Sequence, residues 1–421
     1  MTKPAWYRSR RLKIALVAVI ATLVGVGIGV DIWSKSRVRA FAKASAPAWD
    51  AERARLESLD NPTDPTVKDP CAPAYLAVGV DLGASGRAIG LALRRSLKEK
   101  VPDDARAIVA GEKGAIDAFL KASRCGKYTP KPDEAWVTYG RLYPFFIAGR
   151  LVIVDARVRA EEGDLDASLD RLLAAIKAGT DLEQGTLMAS VHGVAVSAPA
   201  LETLAALIAE GRLSEAQRDR VERLLLALAP RMPSMEDGIL RQRLILHQIA
   251  TEALATGKAP ANARPSADNP GRFVAAVLPP LAILADALWK QDRFLARVQD
   301  FARDDRDPLL FVTRMANAEP RAKSRVLTGF DFPPYGLMQK GHNLCIPRAW
   351  TKMILTALTV EKAPSVPASL PPMDDPCGAG SLLYFTGATG GYVLASTGKD
   401  GTISDDDLRL ERAPKPAPPA L

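Results

Sequence analysis

Aromatic residues make up only 6% of this 421-residue chain, and histidine occurs three times. Few aromatics and abundant Ala and Leu favour packed helices over sheets, because Ala and Leu are strong helix formers. His192, His247 and His342 are far apart in the chain, so each reads as a packed or surface residue, not as a ligand or catalytic base. The chain has no Gly-x-Ser-x-Gly elbow, no His-Glu-x-x-His helix and no Walker loop. It also lacks a basic stripe with interleaved aromatics. The formal net charge is +8, but Lys3, Arg8, Arg10, Arg11 and Lys13 supply five of those charges, which leaves +3 for the remainder. That small excess argues against a nucleic-acid partner.

Cysteine is sparse and never closely spaced. Cys71, Cys125, Cys345 and Cys377 lack the short intervals of a zinc knuckle or a redox motif. In an oxidising compartment they would pair. Three pairings exist, and local flanking favours Cys71–Cys125 with Cys345–Cys377. Four buried free thiols are the alternative.

One long hydrophobic run is present, and it sets the location. Ile14 to Val30 carries no charge and the apolar stretch extends to Trp33. That is close to the ~20 residues a helix needs to cross the hydrocarbon core. Trp6, Tyr7 and Trp33 fall where interfacial aromatics sit, and the basic excess lies on the N-terminal side, against Lys35, Arg37 and Arg39 beyond. The expectation is a single span at 14–33 with a cytoplasmic tip (1–13) and the bulk exported across a bacterial inner membrane. A cleavable signal peptide would have a shorter core of ~7–15 residues with a small-x-small site close behind. The nearest such site, Ala44-Ser45-Ala46, lies well beyond the run.

The rest of the chain divides by composition. Residues 34–60 read as a juxtamembrane helix interrupted at Pro47. Residues 61–362 read as a helical domain with linkers at 60–70, 126–134 and 257–272. Within it, a helix beginning at Pro144 places Phe146, Leu151, Val154 and Val158 on one face, and Gly163-Asp164 ends it. Leu165, Leu169, Leu172 and Ile176 then begin the second arm of a helical hairpin. Ser214 and Gln217 form a capping box ahead of Val221, Leu224, Leu225 and Leu228. A further helix runs over about 235–255. "FVAAVLPPLAILADALW" (273–289) is apolar, but Pro279-Pro280 and Asp286 make it a core helix starting at Pro280 instead of a second span. After 362 the pattern changes: "SLLYF", "GYVLAS" and "LRL" predict a small antiparallel sheet within 363–412, followed by a disordered tail at 413–421. The fold class is therefore mainly α, with an N-terminal transmembrane helix, a multi-helix exported domain and a small C-terminal antiparallel β-element.

Two stretches raise chemistry. "AVGVDLGASGRAIG" (77–90) is similar to the first phosphate hairpin of sugar kinases and related ATPases, but the second phosphate motif and the adenosine-site glycine pair are missing, so it reads as a helix–turn–helix with glycine breaks. "GYVLASTGKDGTISDDDL" (391–408) gathers Asp400, Asp405, Asp406 and Asp407. Such carboxylates either stay solvated or gather around a hard cation.

The stretch Asp375-Pro376-Cys377-Gly378, with Ser396, Gly398, Asp400-Gly401 and Asp405 to Asp407, resembles the C-terminal calcium region of the major pseudopilin of type II secretion. The resemblance covers about 37 residues and implies a structural calcium held by Ser396, Asp400, Asp405 and Asp407. The chain departs from that family at its N-terminus, because the first glutamate, Glu52, lies far outside the apolar run. Residues 125–207, including "GDLDASLDRLLAAIKAGTDL" (163–182) and "GTLMASVHGVAVSAPALETLAAL" (185–207), together with the tail, resemble a group of uncharacterised bacterial exported helical proteins. That resemblance implies no activity. The functional expectation is a membrane-anchored scaffold or protein-interaction module with a protein partner. The alternative is an envelope hydrolase whose acid/base pair forms only in the fold.

Overall fold

The computed structural model describes residues 5–58, 99–125, 139–184, 187–258, 280–304, 342–378, 380–387, 391–397 and 408–413, with isolated positions 74, 78, 89 and 91–93. Most of the 77–90 hairpin, Cys71, Asp400, Asp405, Asp407 and the tail from 414 lie outside the described residues. The fold is mainly α with a small three-stranded antiparallel sheet near the C-terminus. The chain divides into two compact units.

The first unit takes in Met1–Ala51 and Arg243–Arg297. Helix α1 (Ala5–Ser58) is continuous and carries Pro47 inside it, so the expected break at Pro47 does not occur. Proline removes a donor and crowds the carbonyl four residues back. Here that carbonyl belongs to Lys43, and both residues are on the exposed side, open to solvent. The opposite side is held by packing. Val38 and Phe41 are buried, and Phe41 meets Trp289 edge-on with centroids 5.4 Å apart. The partners are the later part of α8 (Met235–Thr256), with Leu246, Ile249, Ala250 and Ala253 buried, and α9 (Pro280–Asp304), with Leu284, Ala285, Leu288 and Leu295 buried. The start of α9 at Pro280 matches the sequence expectation. Arg243 pairs with Asp292 at 2.9 Å to join α8 and α9.

The apolar stretch of α1 is different. Ile14, Leu16, Val17, Val19, Ile20, Leu23, Val24, Val26, Ile28 and Ile32 are all exposed. A second helix, Ala189–Ala209, is also long and apolar enough to span a membrane, but 61% of its apolar window is buried inside the protein. That is the signature of a core helix.

The second unit is built around α4 (Tyr139–Glu161), α5 (Leu165–Glu183) and α6 (Leu187–Ala209). Helix α4 starts at Tyr139, one turn before Pro144, which then sits inside it. So early in the helix, Pro144 deprives only Gly140 of a donor. The single apolar face expected for α4 is also too narrow. Positions 151–158 are buried all round, Asp155 and Arg157 included, because α4 is a central helix. The α4–α5 turn forms as expected. Gly163 adopts φ +86°, a region open to glycine, and Asp164 caps α5 by accepting from the Ala167 N–H at 3.1 Å.

Helices α2 (Asp103–Gly111) and α3 (Lys113–Ser123) bury Val109, Ile116 and Phe119 in this core. Helix α7 (Glu215–Leu228) opens on the expected capping box: Ser214 Oγ accepts from the Gln217 N–H at 3.3 Å and Gln217 Oε1 from the Ser214 N–H at 3.0 Å. Val221, Leu225 and Leu228 are buried beneath it. Helix α10 (Cys345–Lys362) leads to the sheet β1 (Leu383–Thr386), β2 (Tyr392–Ala395) and β3 (Arg409–Arg412), paired antiparallel in that order. Tyr384 faces Leu394, and Leu394 faces Leu410. Tyr392, Leu394 and Leu410 join the helical core, and Arg412 bonds Glu361 of α10 and the Ala209 carbonyl of α6, each at 2.8 Å.

Candidate functional site

The densest chemistry lies where α5 crosses α6. Gly179 and Gly193 face each other so closely that a Cβ on Gly179 would stand 2.8 Å from the Gly193 carbonyl oxygen. A Cβ on Gly193 would stand 2.5 Å from the Gly179 oxygen. Small residues let two helix backbones touch, and the polar groups around them must then bond one another, because water is excluded.

They do so in a chain. Lys177, one turn before Asp181 on α5, bonds its carboxylate, and Asp181 Oδ1 accepts from Arg231 at 2.6 Å. Gln184 donates to the Arg231 carbonyl. Arg241, on the first turns of α8, reaches the Glu183 carbonyl at 2.7 Å, Gln184 Oε1 at 3.2 Å and Glu52 at 3.1 Å. Ser190 Oγ donates to the Glu183 carbonyl at 2.9 Å, and Ser197 Oγ to Glu183 Oε1 at 2.6 Å. Glu183 Oε2 has no hydrogen-bond partner among the described residues.

Burial sets the electrostatics. Glu183 is fully enclosed, which pushes its pKa up to about 8, against the opposing pull of the Ser197 hydroxyl and Arg241. It is mainly protonated at neutral pH. Burial lowers Lys177, with Asp181 opposing. Arg157 is lowered for the same reason, with Glu202 and Glu99 opposing, and Glu202 is raised. The network is sealed: Asp181 and Glu183 are 0% exposed and Lys177 1%. What the arrangement does is fix the register of the packed helices, since removing one partner of a buried pair strands the other at a cost of ~3–5 kcal/mol.

A second polar centre lies at the sheet. Asp375 is buried and accepts from the Cys377 N–H at 2.9 Å, from Ser396 Oγ at 2.9 Å on both oxygens, and from the Thr397 N–H at 3.0 Å. Cys377 is disulfide-bonded to Cys345 at the start of α10, with Cα atoms 5.0 Å apart. Cys125 is also disulfide-bonded, and Cys71 lies outside the described residues. Ser396, one of the four expected calcium ligands, therefore ties β2 to the Asp375 turn. The other three, Asp400, Asp405 and Asp407, are outside the described residues. Among the described residues, no three His, Cys, Asp or Glu side chains converge on a common point.

Two histidines are packed. His247 Nδ1 lies 2.7 Å from Ser45 Oγ and its ring stacks on Trp49. His192 meets Phe146 edge-on. The α5–α6 network was not singled out from sequence. Its traces were Lys177-x-x-x-Asp181 on one helix face and small residues at 179, 190, 193 and 197, but its closure depends on Arg231, Arg241 and Glu52 from distant segments.

Comparison of the chain with protein-family models, curated proteins and solved structures gives no significant match.

Proposed function

We propose that the chain is a single-span, membrane-anchored scaffold of a bacterial cell envelope. Its N-terminus is cytoplasmic and its helical body is exported to engage a protein partner. The observation that carries this reading is α1: its apolar stretch is bare along its length, and the same unbroken helix then supplies Val38 and Phe41 to the core of the first unit. Ser45 of the Ala44-Ser45-Ala46 site bonds His247 inside that packing, which favours retention of the anchor over its cleavage. The five basic residues before the span favour a cytoplasmic N-terminus. Sealing of the most perturbed acid, Glu183, favours a binding role over turnover.

The test is cell fractionation of the full chain with reporters fused after residues 4 and 421. Retention in the membrane pellet after alkaline carbonate, with only the C-terminal reporter active outside the cytoplasm, is the expected result. A soluble chain or a cytoplasmic C-terminal reporter would refute the reading. The binding role is tested by photo-crosslinking from Leu226 and Phe385, both exposed in the second unit. One discrete adduct with another protein is expected, and the absence of any adduct from either position would count against a partner there.

A further inference from the structure

We infer that the first two to three turns of α1 beyond the apolar stretch form a binding surface for the phosphate headgroups of anionic lipids, in the leaflet where the helix leaves the bilayer. The inference rests on reading α1 as a membrane span. Lys35, Arg39 and Lys43 recur every four residues and are all exposed, so they make one basic stripe on one side of the helix. At 1.5 Å per residue they stand roughly 3, 9 and 15 Å beyond Trp33. The headgroup layer is about 5–8 Å deep on each side of the hydrocarbon core. The first two fall within or at the edge of that layer, and Lys43 lies within a Debye length of ~8 Å from it.

The acids nearby cancel one charge of the stripe and leave two. Asp31 pairs with Lys35 at 2.7 Å, Asp292 is held by Arg243, and Asp50 lies seven residues past Lys43. Arg39 and Lys43 make no ion pair among the described residues.

A second set of groups places the neighbouring helix at the same depth. The Trp289 indole N–H donates to the Arg37 carbonyl at 3.2 Å, which sets Trp289 about 6 Å beyond Trp33 along α1. The Arg37 guanidinium lies 5.9 Å from the Trp33 ring centroid and 5.1 Å from that of Trp289. Two indoles joined by a guanidinium suit an interface, where the rings favour the headgroup level and the cation favours phosphate. Arg293 and Arg297 follow on α9, both exposed, and extend the positive field from a second helix.

Each basic residue near an anionic surface changes lipid partition roughly fivefold, so Arg39 and Lys43 together give a preference of about 25-fold. The experiment uses the full chain with Lys3→Gln, Arg8→Gln, Arg10→Gln, Arg11→Gln and Lys13→Gln, which silences the opposite flank. The protein is reconstituted into vesicles of equal phosphatidylglycerol and phosphatidylcholine, washed with alkaline carbonate, extracted, and its retained lipids counted by native mass spectrometry. Phosphatidylglycerol should exceed phosphatidylcholine at least tenfold, and adding Lys35→Gln, Arg39→Gln and Lys43→Gln should lower that ratio at least fivefold, with Arg37, Arg293 and Arg297 left in place. Excess inorganic phosphate should leave the preference in place. Equal retention before the triple substitution, an unchanged ratio after it, or erasure by phosphate would each overturn the inference while leaving the span intact. Release of the chain by carbonate would refute the span itself.

Discussion

Replacing Glu183 with Gln should make the protein more stable above neutral pH. The fold holds this carboxyl in a dry crossing, with one oxygen taking the Ser197 hydroxyl and the other without a partner among the described residues. Its pKa rises from 4.5 to about 8, chiefly through burial. Between those values the folded chain keeps a proton that the unfolded chain releases. The stabilisation is therefore complete below about pH 4.5 and is lost as pH climbs toward 8. At 1.36 kcal/mol per pH unit the full loss is of the order of 5 kcal/mol. Gln is neutral throughout, close in shape to the protonated acid, and still offers an oxygen to Ser197. The variant should match the parent near pH 5 and exceed it by several kcal/mol near pH 9. Urea unfolding of the full chain in detergent, followed by far-UV circular dichroism at pH 5, 7 and 9, measures this. His247, whose pKa burial lowers, titrates with the opposite sign, but it is common to both proteins and drops out of their difference. If parent and variant lose stability in parallel from pH 5 to 9, Glu183 is not buried as a neutral acid and the reasoning fails.

Three other outcomes are expected. Gly193→Ala drives a methyl group into the Gly179 carbonyl and Glu183, so the melting temperature should fall by an amount equivalent to at least ~1–3 kcal/mol, whereas Gly111→Ala, with open space around it, should be near neutral. Removing the Cys345–Cys377 disulfide by double Ser substitution opens a loop of 32 residues and should cost about 3–4 kcal/mol, read as a melting shift that reductant reproduces in the parent. Excess calcium should raise the melting temperature relative to chelator, and Asp400→Ala should remove that rise; equal melts in calcium and chelator would leave the acidic stretch as a solvated turn.

Much of the architecture was readable where the signal is local. Gly163-Asp164, the Ser214–Gln217 box and the Pro280 start depend on neighbours within a few positions, and each appears in the fold. The glycine-separated runs after 362 form the expected strands. Pro47 and Pro144 misled because proline weighs against a helix locally, while packing decides the outcome from distant segments. The single apolar face read for α4 was too narrow because distant segments cover its polar residues as well. Asp155 is buried because Arg171 of α5 answers it, and Arg157 because the Ala92 carbonyl does. Ser396, one of the expected cation ligands, donates to Asp375, 21 residues earlier, a contact that nothing in its own neighbourhood announces.

The absence of a joint in α1 has a mechanical meaning. About 25 residues of α1 continue past Trp33, a rod of roughly 38 Å at 1.5 Å per residue. A rod without a hinge converts angle into displacement. If the bilayer thickens or thins and the span re-tilts by ~10°, the far end of α1 sweeps sideways by about 6–7 Å, more than the width of one helical turn. With a flexible tether that motion would be lost within a few residues. With this rod, and on the proposed single-span reading, the thickness of the membrane would become a lateral coordinate at the far end of α1.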